Sequence, residues 1–487
     1  MSKVYSSHSG NPQAKWILWG VYTLCIVLLA SRHEFWYDEY HVWFLARFLS
    51  FKELFRTMTS EGHFLLWFLP VRVLSRLGCS FWCLHLLSVS LASAAAWLLI
   101  MKGPFDLLSQ GLIIFSYPLV YWFPVISRCY ALIPIILFAI AYLYSLQGRH
   151  IILYAFFVGL LAHTHAYMEG LVAALFLLFC YEQIMVPHRQ GRPVYQGIIG
   201  AVVIVLLVFL AFLQVYGSLA YGQSNLSDRH GVLQTVIPVV KAYSLIPVQV
   251  KEALKAGHIN VLALGLLAVT VILWAVTLFL VIKVFIKQKA GRKFAVVLSV
   301  SVLWQVLLSI TVFQFAEHRV YLPMLLIVYT LWCIYGEIIR RESLFILASL
   351  FLLTVQCDLM IQDIRKPFCP DTAVYASVKR TVPPGSRLFV VTAPGCPEII
   401  KEYEIPLLMK TMFDYEYDAS FVHPLAGEDY QRAVADELGQ EQSREVWCVL
   451  VGDADIPSHP WYVSEVLDEV AGYRLCRLTA VSDTGNR

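Results

Sequence analysis

Residues 16–30, WILWGVYTLCIVLLA, run without a break into residues 31–41, SRHEFWYDEYH. The first stretch has the character of a membrane-crossing helix. The second sets Glu34, Asp38, Glu39 and two histidines among aromatic residues, at the depth where such a helix meets water. Charges cost free energy there, so they are either a solvated collar inside an aromatic belt or a site of chemistry.

Of the 487 residues, 59% are hydrophobic and only 15% charged, with a mean hydropathy of +0.65. That is too apolar for a soluble globular chain and identifies a polytopic α-helical membrane protein. Helices are the expected form, because they satisfy their own backbone polar groups in lipid; the short alternating segments of an outer-membrane barrel are missing. Apolar runs place about eleven spans, near 16–31, 81–101, 107–126, 130–146, 151–163, 166–184, 196–217, 258–283, 294–315, 319–339 and 344–361. The run at 151–163 is short and 130–146 contains Pro134, so each reads equally as a broken or half-buried helix. SRH after Ala30 lacks a small-residue cleavage pattern, so the first run is kept as an anchor.

Lys102, Arg149, Arg189, Arg192, the cluster KQKAGRK at 287–293 and Arg340–Arg341 fall on one side if the spans alternate, and that side is expected to be cytoplasmic. Segments 32–80 and 218–257, the turns near 127–129 and 316–318, and the tail then lie outside. The sequon NLS at 225–227 falls in such an outer loop, where it matters only with the matching glycosylation machinery.

The charge balance changes near residue 363. The tail holds 20 acidic against 12 basic residues, whereas residues 1–362 hold 14 against 25. Two domains follow: a transmembrane domain over 1–362 and a small extracytoplasmic α/β domain over 363–487. In the tail SRLFVVTA, EVWCVLVGD and YRLCRLTAV read as strands, and PDTAVYASVKR and PEIIKEY as helices. No phosphate loop or metal-spaced Cys/His set is present there. For Cys369, Cys396, Cys448 and Cys476, disulfides and free buried thiols are both open.

The first outer loop holds more than a collar requires. WYDEYHVWFLAR suggests a helix lying in the interface, and GHFLLWFLPVRVLSRLG a second one, with Glu61 and His63 at its start and Pro70 inside. This pattern resembles the GT-C glycosyltransferases, which include protein mannosyltransferases and the lipid A aminoarabinose transferase. In them an Asp-Glu pair follows the first span, and an interfacial helix opens with a His-Pro-Pro-like turn. Asp38–Glu39 matches the pair, but Phe64 and Leu65 stand where that turn has prolines. ISRCYAL at 126–132 resembles the family's Arg-containing turn, LLAHTHAYMEG at 160–170 its Thr-His span end, and AEHRVYLPML at 316–325 its Arg-Tyr start of a late span. The resemblance covers about residues 16–340, and the order of the motifs carries it.

The resemblance implies a sugar donor on a polyprenyl phosphate and a glycan, lipid or protein acceptor, handled on the outer face of the cell inner (plasma) membrane among its lipids, with no nucleic acid involved. The leaving lipid phosphate needs a cation, and Arg128 and Arg319 offer forked donors; their bland alternative is interfacial snorkelling. Asp38 matches the family's general base, which takes the acceptor proton and gives inversion at the sugar carbon. Glu39, about 100° around the helix, is the weaker catalytic candidate and reads rather as orienting the loop or pairing with an arginine. A retaining route needs a second carboxylate, for which Glu61 is the nominee. Substrate contacts are expected from Glu61, His63, Arg128, Tyr130, His163, His165, Glu169, His318, Arg319 and Tyr321. Base, acceptor oxygen and phosphate must converge on one carbon, so Asp38, Arg128, His165 and Arg319 are expected around one cavity.

Of His163, His165 and Glu169, only the last two are spaced for joint metal ligation, and hydroxyl contacts or satisfied polar packing explain all three as well. Some relatives in the superfamily use a divalent metal and others do not; no metal or cofactor is assigned. The competing class is a transporter or lipid-linked glycan flippase, which calls for internal repeats and midplane charges. The chain shows no repeat, and its candidate charges gather at one face. An assembly factor recruiting partners through the acidic tail would leave Asp38 without a role.

Overall fold

The computed structural model describes residues 11–33, 35, 37–61, 63–146, 148–216, 260–287, 289–311, 321–335, 340–355, 371–392, 418–422, 445–451, 462–470 and 473–480, with isolated positions between 217 and 259. His318, Arg319, the sequon, PEIIKEY, Cys369 and Cys396 lie outside the described residues. Two compact units emerge. One comprises Met1–Arg32 with Ser50–Gln362, the other His33–Leu49 with Asp363–Arg487.

In the first unit, α1 (Pro12–Ala30) starts where Asn11 accepts from the Gln13 N–H at 3.0 Å and Pro12 takes the first helical position. In the second unit α2 spans Tyr37–Phe48. Back in the first, α3 (Phe51–Glu61) opens on a capping box, in which Glu53 accepts from the Ser50 N–H and Ser50 Oγ from the Glu53 N–H. Next come α4 (Leu65–Arg76), α5 (Trp82–Lys102) and α6 (Leu107–Ile114). After α6 the chain bends by 62° into Pro118–Val125. Pro118 lacks an N–H, and the following π turn frees carbonyls that other helices satisfy: Tyr22 Oη donates to Leu119 O and Ser88 Oγ to Phe123 O.

The remaining helices are α7 (Leu132–Ser145), α8 (Ile151–Leu161), α9 (Glu169–Cys180), α10 (Tyr195–Val215), α11 (Val261–Lys287), α12 (Lys289–Thr311), α13 (Tyr321–Ile334) and α14 (Arg340–Thr354). Pro134 sits in the first turn of α7, where no helical bond is lost, so the helix is unbroken. Among the described residues six helices are long and apolar enough to cross a membrane, seven if the bent pair is one span. Cys129–Ser145, Ile151–Leu161 and Tyr321–Ile334 are apolar but shorter. Hydropathy alone places about eleven runs; of these, 107–126 is bent at Pro118 and α8 stops at Leu161, where described turn residues end the helix short of bilayer length. Small residues seat the helices against one another. A Cβ on Gly200 would collide with the Phe179 ring, and one on Gly197 with the Gln183 carbonyl.

The second unit is a small α/β domain. Its sheet runs β2–β1–β3–β5–β4, built from β1 (Arg387–Thr392), β2 (Asp418–Val422), β3 (Glu445–Val451), β4 (Tyr462–Val470) and β5 (Tyr473–Ala480). β1 lies parallel to β2 and β3, while β5 pairs antiparallel with β3 and β4. Helix α15 (Asp371–Thr381) packs Val374 and Val378 on Leu388, Trp447, Val449 and Leu475. The stretch His33–Leu49 joins this unit, with the Tyr40 and Phe44 rings 6.4 and 6.3 Å from Tyr375. Cys448 and Cys476 face each other in register as buried free thiols.

A bulge between Val466 and Asp468 turns Asp468 toward α15, where it accepts from Ser377 Oγ and, at 2.8 Å, from Arg380 Nη2. The Ser377 hydrogen bond, ahead of the Arg380 charge, holds its carboxyl below the usual range. A lowered folded-state pKa stabilises above the unfolded value of about 3.9 and is lost as pH falls through the folded value. Hydrogen exchange in β4 and β5 should therefore show a protection loss below about pH 4 that Ser377→Ala shifts toward higher pH. Identical profiles would discard this linkage.

Candidate functional site

Both units carry sequence-predicted site residues in buried polar clusters. In the second unit Asp38 and Glu39 occupy the first turn of α2, where the helix dipole favours carboxylates. Their surroundings differ. Glu39 is 0% exposed and its Oε2 lies 3.1 Å from Nε2 of His33, itself 2% exposed, whereas Asp38 is half-buried. A wholly buried carboxylate is tolerated only when bonded, so Glu39 anchors the turn after α1 and Asp38 carries the more accessible carboxylate.

In the first unit three remote segments meet. His63, just after α3, and His165, between α8 and α9, form an antiparallel backbone bridge, with their rings 5.3 Å apart. Arg128, in the turn before α7, is 7% exposed and donates from Nη2 to His63 Nε2 at 2.8 Å. A guanidinium only donates, so the His63 proton resides on Nδ1, 3.6 Å from Cys129 Sγ. The same guanidinium lies 5.7 Å above the Tyr130 ring, which stacks on His165 at 4.9 Å and 21°.

His165 is oriented just as tightly. The Tyr167 N–H donates to its Nδ1 at 3.1 Å, leaving Nε2 to donate to Tyr130 Oη at 3.1 Å. Helix α12 holds this turn from behind: Trp304 Nε1 donates to Ala166 O, and Tyr167 Oη to Ser309 Oγ. The result is a cation held beside two oriented imidazoles and a phenol at one end of the bundle. An arginine so placed has the geometry for a phosphate oxygen.

His163 points elsewhere. Its Nε2 donates to Leu207 O at 2.9 Å, and its Nδ1 accepts from Gln214 Nε2 at 3.0 Å. Gln214 Oε1 accepts from the Leu65 N–H at 2.9 Å, tying the start of α4 to α10. His163 is thus polar packing at a helix break. Glu169 opens α9 and lines an otherwise apolar cleft of about 680 Å³ with Trp304, Phe209 and Phe212. Tyr321 is buried in the first unit, its ring 5.5 Å from Tyr117 and 6.3 Å from Trp122. Glu61 ends α3. Among the described residues no three His, Cys, Asp or Glu side chains converge as metal ligands.

No protein-family model matches the chain, and no curated protein sequence matches it. One solved structure aligns along most of its length: ArnT from Cupriavidus metallidurans bound to undecaprenyl phosphate, 11% identical, covering 97% of this chain and 99% of that one, with a TM-score of 0.46. Agreement at that level assigns no residue a role.

Cys129 and Tyr167, inside the quoted motifs, and Gln214, outside them, join these clusters without having been singled out from the sequence. Gln214 had a sequence signal, as the one amide in the apolar run 196–217 outside its first residues. Gln214→Leu would leave the buried Leu65 N–H and His163 Nδ1 without partners, at about 1–3 kcal/mol for each unsatisfied group. The detergent-solubilised variant should melt several degrees lower than wild type; an unchanged midpoint would remove this network from the account of stability.

Proposed function

We propose that the chain is an inverting glycosyltransferase that moves a sugar from a polyprenyl-phosphate donor to an acceptor hydroxyl. The observation that carries the reading is Arg128, buried at the end of a membrane bundle and oriented by His63 and Tyr130. A buried guanidinium at that level suits an anionic lipid phosphate, and the motif resemblance supplies the sugar.

In this reading the acceptor oxygen attacks the sugar carbon as Asp38 takes its proton. The bond from that carbon to the phosphate oxygen breaks, and polyprenyl phosphate leaves with the electron pair. Arg128 and Arg319 stabilise the phosphate charge as it develops, and His165 with Tyr130 offers hydrogen bonds to sugar hydroxyls. Glu39 holds the turn that presents Asp38. The reaction takes place on the outer face of the plasma membrane and builds a cell-envelope glycan.

The test uses the purified full-length chain with a synthetic polyprenyl-phosphate sugar and a panel of glycan, lipid and peptide acceptors. Stoichiometric release of polyprenyl phosphate with a new glycosidic bond is expected. A flippase would move the lipid across a vesicle bilayer and break no bond, and that result would replace the proposal. Orientation is checked separately, by impermeant labelling of single cysteines introduced near 430 and near 290. Labelling near 290 alone would invert the assigned sides.

A further inference from the structure

At the end of the bundle away from His63, Arg128 and His165, a cleft of about 530 Å³ opens between the start of α8 and the face of α10. Arg149 and His150 line its head, and Ile152, Leu153, Phe156 and Val203 line the rest. The size falls in the roughly 300–1,000 Å³ range of small-ligand clefts. Ile152, Leu153 and Phe156 are 44%, 46% and 41% exposed, so the apolar part lies on the surface of the helix bundle rather than in its core.

Arg149 is exposed, and among the described residues no carboxylate pairs with it. Arg189 and Arg192 are exposed on the turn that leads into Gln196, which also lines the cleft, and they add to the positive charge of that end. A cation at headgroup level above an apolar furrow is complementary to one class of molecule, a lipid with a negatively charged head and an acyl chain.

We propose that this cleft is a binding site for an anionic phospholipid, its phosphate on Arg149 and His150 and one acyl chain along Ile152, Phe156 and Val203. The site is independent of the transfer reaction proposed above.

The experiment is native mass spectrometry of the full-length chain, incubated with equal amounts of phosphatidylglycerol and phosphatidylcholine. A retained phosphatidylglycerol adduct is expected, favoured roughly fivefold or more, as one basic residue near a headgroup provides. Arg149→Gln should abolish the preference and Arg149→Lys keep it, while Arg292→Gln, which removes the same charge elsewhere, leaves it intact. Val203→Trp, filling the furrow, should also reduce the adduct. The proposal is overturned by equal retention of the two lipids, by an equal loss in Arg149→Gln and Arg292→Gln, or by displacement with inorganic phosphate alone, which would mean a free-phosphate site.

Discussion

Asp38→Asn is expected to lower sugar transfer by a factor on the order of 10² or more, with the protein still folded and still binding donor. Asparagine keeps the size and the hydrogen bonding of the first turn of α2 but cannot take a proton. The neighbouring carboxylate cannot stand in, because Glu39 is fully buried and engaged with His33. Glu39→Gln should act differently, lowering stability by weakening that buried contact, with transfer falling in proportion to folded protein. The paired measurement is transfer rate and melting midpoint for each variant. An Asp38→Asn enzyme with wild-type turnover would end the base assignment, and the opening SRHEFWYDEYH would return to being a collar.

Arg128→Ala should weaken use of the lipid-phosphate donor by about 1.5–3 kcal/mol, the worth of a charge-assisted hydrogen bond, or about ten- to more than a hundredfold in kcat/KM. The same substitution strands His63 Nε2, so some stability loss accompanies it. Arg128→Lys separates the two effects. It keeps the charge without the planar fork, so donor use should recover only in part while folding recovers more fully. Unaltered donor kinetics in Arg128→Ala would make the arginine an interfacial cation that organises His63 and nothing else.

Of the soluble unit, β1, β3, β5 and α15 are visible in the sequence because each concentrates apolar residues at one period. The two edge strands are not. β4, YVSEVLDEV, exposes Val463 and Val466 and carries three acids, the usual protection of an edge, and that composition reads as loop. In the membrane unit Arg128, His63 and His165 are legible as charged or polar breaks at the ends of apolar runs. Their convergence is not, since 65 residues separate Arg128 from His63 and 35 separate Tyr130 from His165.

What the sequence determined by itself is therefore local: helical apolar runs, the Asn11–Pro12 start, the Ser50–Glu53 capping box, the acidic first turn at Asp38–Glu39 and the charge change near 363. Each depends on residues within a turn or two of one another. Tertiary structure alone decided that His33–Leu49 packs with the C-terminal unit, that Glu39 is spent on His33, and that His163 binds Gln214 while His165 meets Tyr130. The first rests on Tyr40 and Phe44 packing against Tyr375, the others on buried hydrogen bonds, whose partners are chosen by which distant groups would otherwise be left unsatisfied in a low-dielectric interior, and hydropathy along the chain holds no record of either choice.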